Sequence, residues 1–276
     1  MKGGDLKITK ILLLTMIVGF SGLLAGCQTS QTVTTGQVGG VIGEPISAGK
    51  GGSDQERYDS RLKLAFAYYQ GGAYDTALSE VDRALELRPR SGDAIALKGM
   101  IYGQMGDTEK ALGYLKTAAS LDASNGDLQH NLGTALCNYG RNAEGIAYLE
   151  KAAHLPSNTN KIKSWLMIGT CYKDAGNVQK AETAYHQVLY MEPNNMAALG
   201  ELGNMMFMRN DIAGAQEYLG RIGSMSNMNA SALWLGVKLA RQQGDAYLMG
   251  QYAKALRDRY PSSPEAAALN RGDYHL

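Results

Sequence analysis

The sequence predicts an all-α fold, a right-handed superhelical solenoid of about six stacked helix hairpins. Three observations predict it. Small residues recur at one helical position, in Leu64-Ala65, Lys98-Gly99, Leu132-Gly133, Ile168-Gly169 and Leu202-Gly203, with steps of 34 residues and a single step of 36. A second set repeats behind them: Ala77/Val81/Ala84, Ala111/Leu115/Ala118, Gly145/Leu149/Ala152, Ala181/Tyr185/Val188 and Ala215/Leu219/Ile222. Between the two sets stand Gly72, Gly106, Gly140, Gly176 and Asn210, the residue types that end a helix with positive φ. One such hairpin cannot bury its apolar face alone, so the stack is stable only collectively.

Taken in order, the chain opens on an apolar run from Ile11 to Gly26 behind Lys2, Lys7 and Lys10. The run is shorter than the roughly 20 residues a membrane-spanning helix needs, and its basic leader and small-residue exit fit a secretory signal over 1–26. The order Leu24-Ala25-Gly26-Cys27 resembles the bacterial lipobox. That resemblance implies cleavage before Cys27 and acylation of its thiol and new amine. A plain cleavage site with an incidental cysteine, or an uncleaved anchor, is the alternative. Gln28 follows where inner-membrane retention commonly uses Asp, so the expected location is the periplasmic face of the outer membrane. Each buried CH₂ contributes about 0.8 kcal/mol, so several acyl chains hold a protein where one does not.

Residues 27–54 are rich in Gly, Ser and Thr without an apolar period, and are expected to act as a tether spanning about 25–30 Å. The hairpins then fall near 58–91, 92–125, 126–161, 162–195, 196–229 and 230–263 within a body over 55–276. Pro89, Ala123, Pro156, Pro193 and Asn227 close successive units. This pattern looks like the tetratricopeptide repeat. The sixth unit is degenerate, with Val237 and Met249 where small residues are expected, and is read as a cap.

Charge excludes one class of partner. Lys+Arg number 27 against 26 Asp+Glu, and without residues 1–26, which hold Lys2, Lys7, Lys10 and Asp5, the formal charge falls from +1 to −1. No nucleic-acid partner is expected from such a balance. Enzyme chemistry finds no foothold either. His130, His154, His186 and His275 stand singly, without HExxH or CxxC spacing, so no metal site is expected. The glycine pairs at 39–40 and 51–52 lack the ending of a phosphate loop, and no serine stands in a GxSxG elbow. Glu80, Asp82, Glu150 and Glu182 read as solvated charges on second helices. Met205, Met206 and Met208 read as fillers between helices. No catalytic residue and no cofactor is expected.

Repeat position sends the side chains of the first helices inward: Asp59, Leu62, Phe66 and Tyr69, then Asp93, Ala96, Met100 and Gln104, then Asp127, His130, Thr134 and Asn138. Leu62, Phe66 and Tyr69 form one stripe at i, i+4 and i+7. With Met100 they are the candidate partner-binding groove, against the alternative that the stripe packs on its own tether or on the next helix. Cys137 and Cys171 lie on consecutive first helices. A bridge between them would suit an oxidising periplasm, with two inert buried thiols as the alternative.

The stretch HNLGTALCNYGR (His130 to Arg141), the unit ASALWLGVKLARQQGD (Ala230 to Asp245) and the ending LRDRYPSSPE (Leu256 to Glu265), behind a lipobox and a polar tether, resemble the PilF/PilW pilotin lipoproteins of type IV pilus biogenesis. Leu132 and the glycine-rich tether depart from that pattern. The resemblance implies a non-enzymatic outer-membrane lipoprotein, expected as a monomer, whose groove engages the secretin subunit of the type IV pilus and promotes its localisation and multimerisation. A periplasmic tetratricopeptide scaffold for cell-wall enzymes or outer-membrane protein assembly is the alternative.

Overall fold

The computed structural model describes residues 52–274. The leader 1–26, the lipidation residue Cys27, the tether as far as residue 51, and His275 lie outside the described residues. Within them the chain forms six hairpins and one closing helix. The hairpins are α1 (Asp54–Gln70) with α2 (Tyr74–Leu87), α3 (Gly92–Gln104) with α4 (Thr108–Leu121), α5 (Gly126–Asn138) with α6 (Asn142–His154), α7 (Lys161–Asp174) with α8 (Val178–Met191), α9 (Met196–Met208) with α10 (Ile212–Ile222), and α11 (Ala230–Gln243) with α12 (Ala246–Arg259); α13 (Pro264–Arg271) follows. Among the described residues there is no strand, and no helix is long and apolar enough to cross a membrane.

The hairpin turns follow from backbone chemistry. Gly72 sits at φ 76°, and the next N–H, of Ala73, donates to the Tyr68 carbonyl at 2.9 Å, tying down a carbonyl the helix end would leave bare. The fifth turn does the same with Asn210, at φ 61°, and Asp211 N–H donates to the Met206 carbonyl at 2.9 Å. α1 begins earlier than the first repeat predicts, because Ser53 and Glu56 close a reciprocal capping box at its start.

Small residues set the packing distance. A Cβ on Gly133 would stand 2.7 Å from Leu149 Cγ and 2.8 Å from the Gly145 carbonyl, so α5 and α6 touch almost backbone to backbone. The apolar core is a string rather than one nucleus. Val81 and Ala84 meet Leu97 and Ile101; Leu115 and Ala118 meet Leu132 and Leu136; Leu149 meets Ile168; and Tyr185 and Val188 meet Leu199 and Leu202. Each hairpin is therefore buried by the next one.

The carboxylates expected as solvated charges have structural partners instead. Glu80 is only 5% exposed and accepts from Arg61 at 2.6 Å and Arg83 at 2.7 Å. Asp82 pairs with Lys98 at 2.5 Å, Glu150 accepts from the Tyr172 hydroxyl at 3.1 Å, and Glu182 pairs with Arg209 at 2.5 Å. In these last three, a second-helix carboxylate reaches the first helix of the following hairpin or, for Glu182, the residue that caps its end. Ordinary charged residues thereby become links between repeats. The methionines divide as well: Met205 is buried as expected, whereas Met208 is 71% exposed and fills no gap.

The single 36-residue step has a local cause. Of the five hairpin-to-hairpin linkers, 88–91, 122–125 and 192–195 are short and 223–229 holds a 3-10 turn over Met225–Asn227, while the linker at this step, 155–160, is longer than those on either side. Its extra length is held by polar side chains. Asn158, 5% exposed, donates to the Ala152 carbonyl at 2.9 Å and to Ser164 Oγ at 3.0 Å. Asp127 accepts from Thr159 N–H at 3.0 Å and from Asn160 Nδ2 at 2.9 Å. Across the same junction the sulfurs of Cys137 and Cys171 are bonded, with Cα atoms 5.7 Å apart. A Cβ on Gly145 would stand 2.5 Å from Cys137 Sγ, so that glycine makes the room the bridge occupies.

α13 was not among the predicted units. It packs on α11 and α12, and with its cover every residue from Ala232 to Ala240 is buried, Lys238 included. The degenerate sixth hairpin is thus an inner element, and α13 closes the stack.

Candidate partner-binding groove

The first helices of three hairpins form one groove. Leu62 and Phe66 from α1, Ala96, Leu97 and Met100 from α3, and Leu128 from α5 line a hollow of about 310 Å³. Lys63, Asp93, Asp127 and Asn131 complete its lining. Phe66 is 45% exposed although aromatic, and it faces this open hollow.

Of the four residues expected to contact a partner, Leu62, Phe66 and Met100 line this hollow together. Tyr69 does not. It stands one turn further along α1, its ring centroid 6.1 Å from Phe66 and 6.4 Å from Tyr74, the first residue of α2. The hairpin turn draws Tyr69 onto its own partner helix, where it packs against the core of the first two hairpins. The stripe read from the sequence therefore splits, with two residues facing the groove and one facing the turn.

A second hollow of about 340 Å³ was not read from the sequence. It lies between α9, α11 and α13, with Met205 and Met208 on one wall and Trp234, Lys238 and Pro264 on the other. Burial pushes the Lys238 ammonium down to about 8, with Glu201 and Glu265 opposing that shift. Its Nζ lies 5.1 Å from the Phe207 ring centroid and 5.8 Å from that of Trp234. The signal that could have found it is a lysine inside the apolar run LWLGVKLA, a charge at a position where the period demands burial.

His130 is mostly buried between α5 and α7 and does not lie open on the groove. Its Nδ1 shares a hydrogen bond of 2.8 Å with Ser164 Oγ, and burial holds its pKa below the ordinary histidine value. Among the described residues no group of three His, Cys, Asp or Glu side chains is placed to hold a metal ion. What the first-helix face offers is an apolar hollow with charged edges, the chemistry of segment recognition.

The tetratricopeptide-repeat family profile matches residues 92–125 and 162–195, the second and fourth hairpins. Among solved structures the chain is similar to PilW, described as a widely conserved type IV pilus biogenesis factor, with 25% identity and a TM-score of 0.64 over 77% of this chain and 98% of PilW. It shares its fold with PilF of Pseudomonas aeruginosa, with 21% identity and a TM-score of 0.67 over 79% of this chain and 99% of PilF. A tetratricopeptide repeat protein from Parabacteroides merdae matches at 16% identity and a TM-score of 0.60. A sequence search among curated proteins gives no match.

Proposed function

We propose, from the premise that this chain is a tetratricopeptide-repeat protein built like PilF and PilW, that it serves type IV pilus biogenesis as a pilotin. In this reading Cys27 carries the lipid that anchors it to the outer membrane, and the α1–α3–α5 groove binds the secretin subunit and promotes its multimerisation. The observation that carries the reading is the apolar hollow of Leu62, Phe66 and Met100 on a repeat array whose match to PilW extends over 98% of that protein. Tetratricopeptide arrays act by binding other proteins, and a partner segment would bury Phe66 between Leu62 and Met100. Tethering raises the client's local concentration near the bilayer, so a modest intrinsic affinity suffices.

The test is capture in cells. A photo-crosslinking residue in place of Phe66 should trap the secretin subunit, and Phe66→Ala with Met100→Ala should reduce secretin multimers while leaving helicity intact. Capture of cell-wall enzymes or outer-membrane assembly factors without secretin would favour the scaffold alternative. Unchanged multimers would count against the groove.

A further inference from the structure

The edges of the α1–α3–α5 groove are not chemically alike, and this narrows what can lie in it. Leu62, Phe66, Ala96 and Met100 give the apolar floor, while Asp93 and Asp127 stand in the first turns of α3 and α5, one repeat apart. Asp59 holds the equivalent repeat position in α1, further into that helix because α1 begins at Asp54. Lys63 is the one cation among the lining residues.

Helix electrostatics alone do not require these acids. A carboxylate in a first turn is favourable, yet α7 and α9 form without any acidic residue there, and the positions equivalent to Asp59, Asp93 and Asp127 carry Lys163 and Ala197. Asp127 is also held in place, by Thr159 and Asn160, so its charge has a fixed position at the edge. Asp93 is exposed and has no ion pair among the described residues.

We infer that the occupant of this groove is a short segment of a partner protein that seats a large apolar side chain between Leu62, Phe66 and Met100 and presents a lysine or arginine to Asp93 and Asp127. This rests on the groove being the partner site proposed above, and it adds the chemistry of the segment. The basic group supplies register and discrimination and the apolar one supplies most of the contact area. A segment with acidic flanks would meet two carboxylates and is disfavoured.

The test uses the full chain in non-ionic detergent and three labelled short peptides that share a central Leu-Phe pair and carry Lys, Gln or Glu on both flanks. Fluorescence polarisation should rank them Lys, then Gln, then Glu, with about a tenfold gap between the first and the last that shrinks at high salt. Asp93→Asn should close most of that gap, Lys63→Glu should widen it, and Phe66→Ala should weaken all three peptides. A tighter Glu peptide, no binding of any peptide, or a ranking that ignores Asp93→Asn and Lys63→Glu would overturn the inference. If the ranking holds while secretin is not captured in cells, the pilotin reading fails and this one stands. If secretin is captured through Phe66 but the peptides are not ranked by charge, the reverse is true.

Discussion

Cys137 on α5 and Cys171 on α7 are joined across a junction whose linker, 155–160, is longer than those of the junctions on either side, with their Cα atoms 5.7 Å apart. The covalent link therefore sits at the one step where the small-residue spacing lengthens from 34 to 36 residues. It closes a loop of 34 residues in sequence, which contributes about 3–4 kcal/mol in the chain-entropy account. Replacing both cysteines by serine should lower stability by roughly that amount. Because an array can lose cooperativity at its weakest interface, urea melts of the variant followed by circular dichroism should also broaden or split. An unchanged, sharp melt would show that the bridge adds nothing.

Glu80 is a buried carboxylate between two arginines. Removing it as Glu80→Ala leaves Arg61, largely covered by its neighbours, without its 2.6 Å partner. We expect a loss of about 1–2 kcal/mol, since the Arg83 side of the pair is open to water and contributes little. Asp82→Ala, at a more exposed pair, should cost well under half as much. Chemical denaturation of the two variants side by side checks the difference.

His130 makes stability depend on pH. Burial is the largest cause of its lowered pKa, with Asp127 opposing and Lys163 reinforcing it. The unfolded chain therefore takes up a proton at higher pH than the folded one. The stability contribution of neutral His130 is complete above the unfolded value of about 6.5 and is lost as pH falls through that value toward the folded one. In His130→Gln the part of the acid-side slope that begins near there should disappear, as read from melting temperatures across the range. A slope identical in both proteins would place the titration elsewhere.

α13 buries the last hairpin, and Leu269 is its chief apolar contact, 6% exposed. Leu269→Asp should loosen α13 from α11 and admit water to Trp234, which is 2% exposed in the intact protein. With Trp165 replaced by Phe, the remaining tryptophan emission should shift to the red well below the main melting transition. Emission that stays blue until global unfolding would show that α11 is covered without α13.

Cys27→Ser tests the anchor. The variant should appear in the soluble periplasmic fraction while the unaltered protein pellets with outer membranes. Retention of the variant in the membrane fraction would refute lipid attachment at that residue.

The hairpins could be read from the sequence because their signal sits in small residues at fixed offsets, and small residues are where two helices must nearly touch. Asn210 was legible for a related reason: few residues other than glycine tolerate its φ of 61°. The closing helix was not legible. Its core, Ala266, Ala268 and Leu269, is too short and too alanine-rich to show a period. Glu80 and Asp82 lie two residues apart and look alike in sequence, yet α2 turns one toward Arg61 and the other toward Lys98. Tyr69 lies seven residues after Leu62 and so shares its helical stripe, but the spacing does not show the turn that brings its ring to 6.4 Å from that of Tyr74. In the groove, residue types were legible and their division into an apolar floor and an acidic edge was not, because that division depends on how three helices align.

The longer linker at 155–160 would ordinarily be the place where an array bends. Here a covalent bond and the clasp of Asp127, Asn158 and Asn160 cross it together, so a stretch of chain with slack to spare becomes a welded elbow. A load taken up by α5 is then passed straight to α7 as through a lever arm, with no hinge at this junction to absorb it.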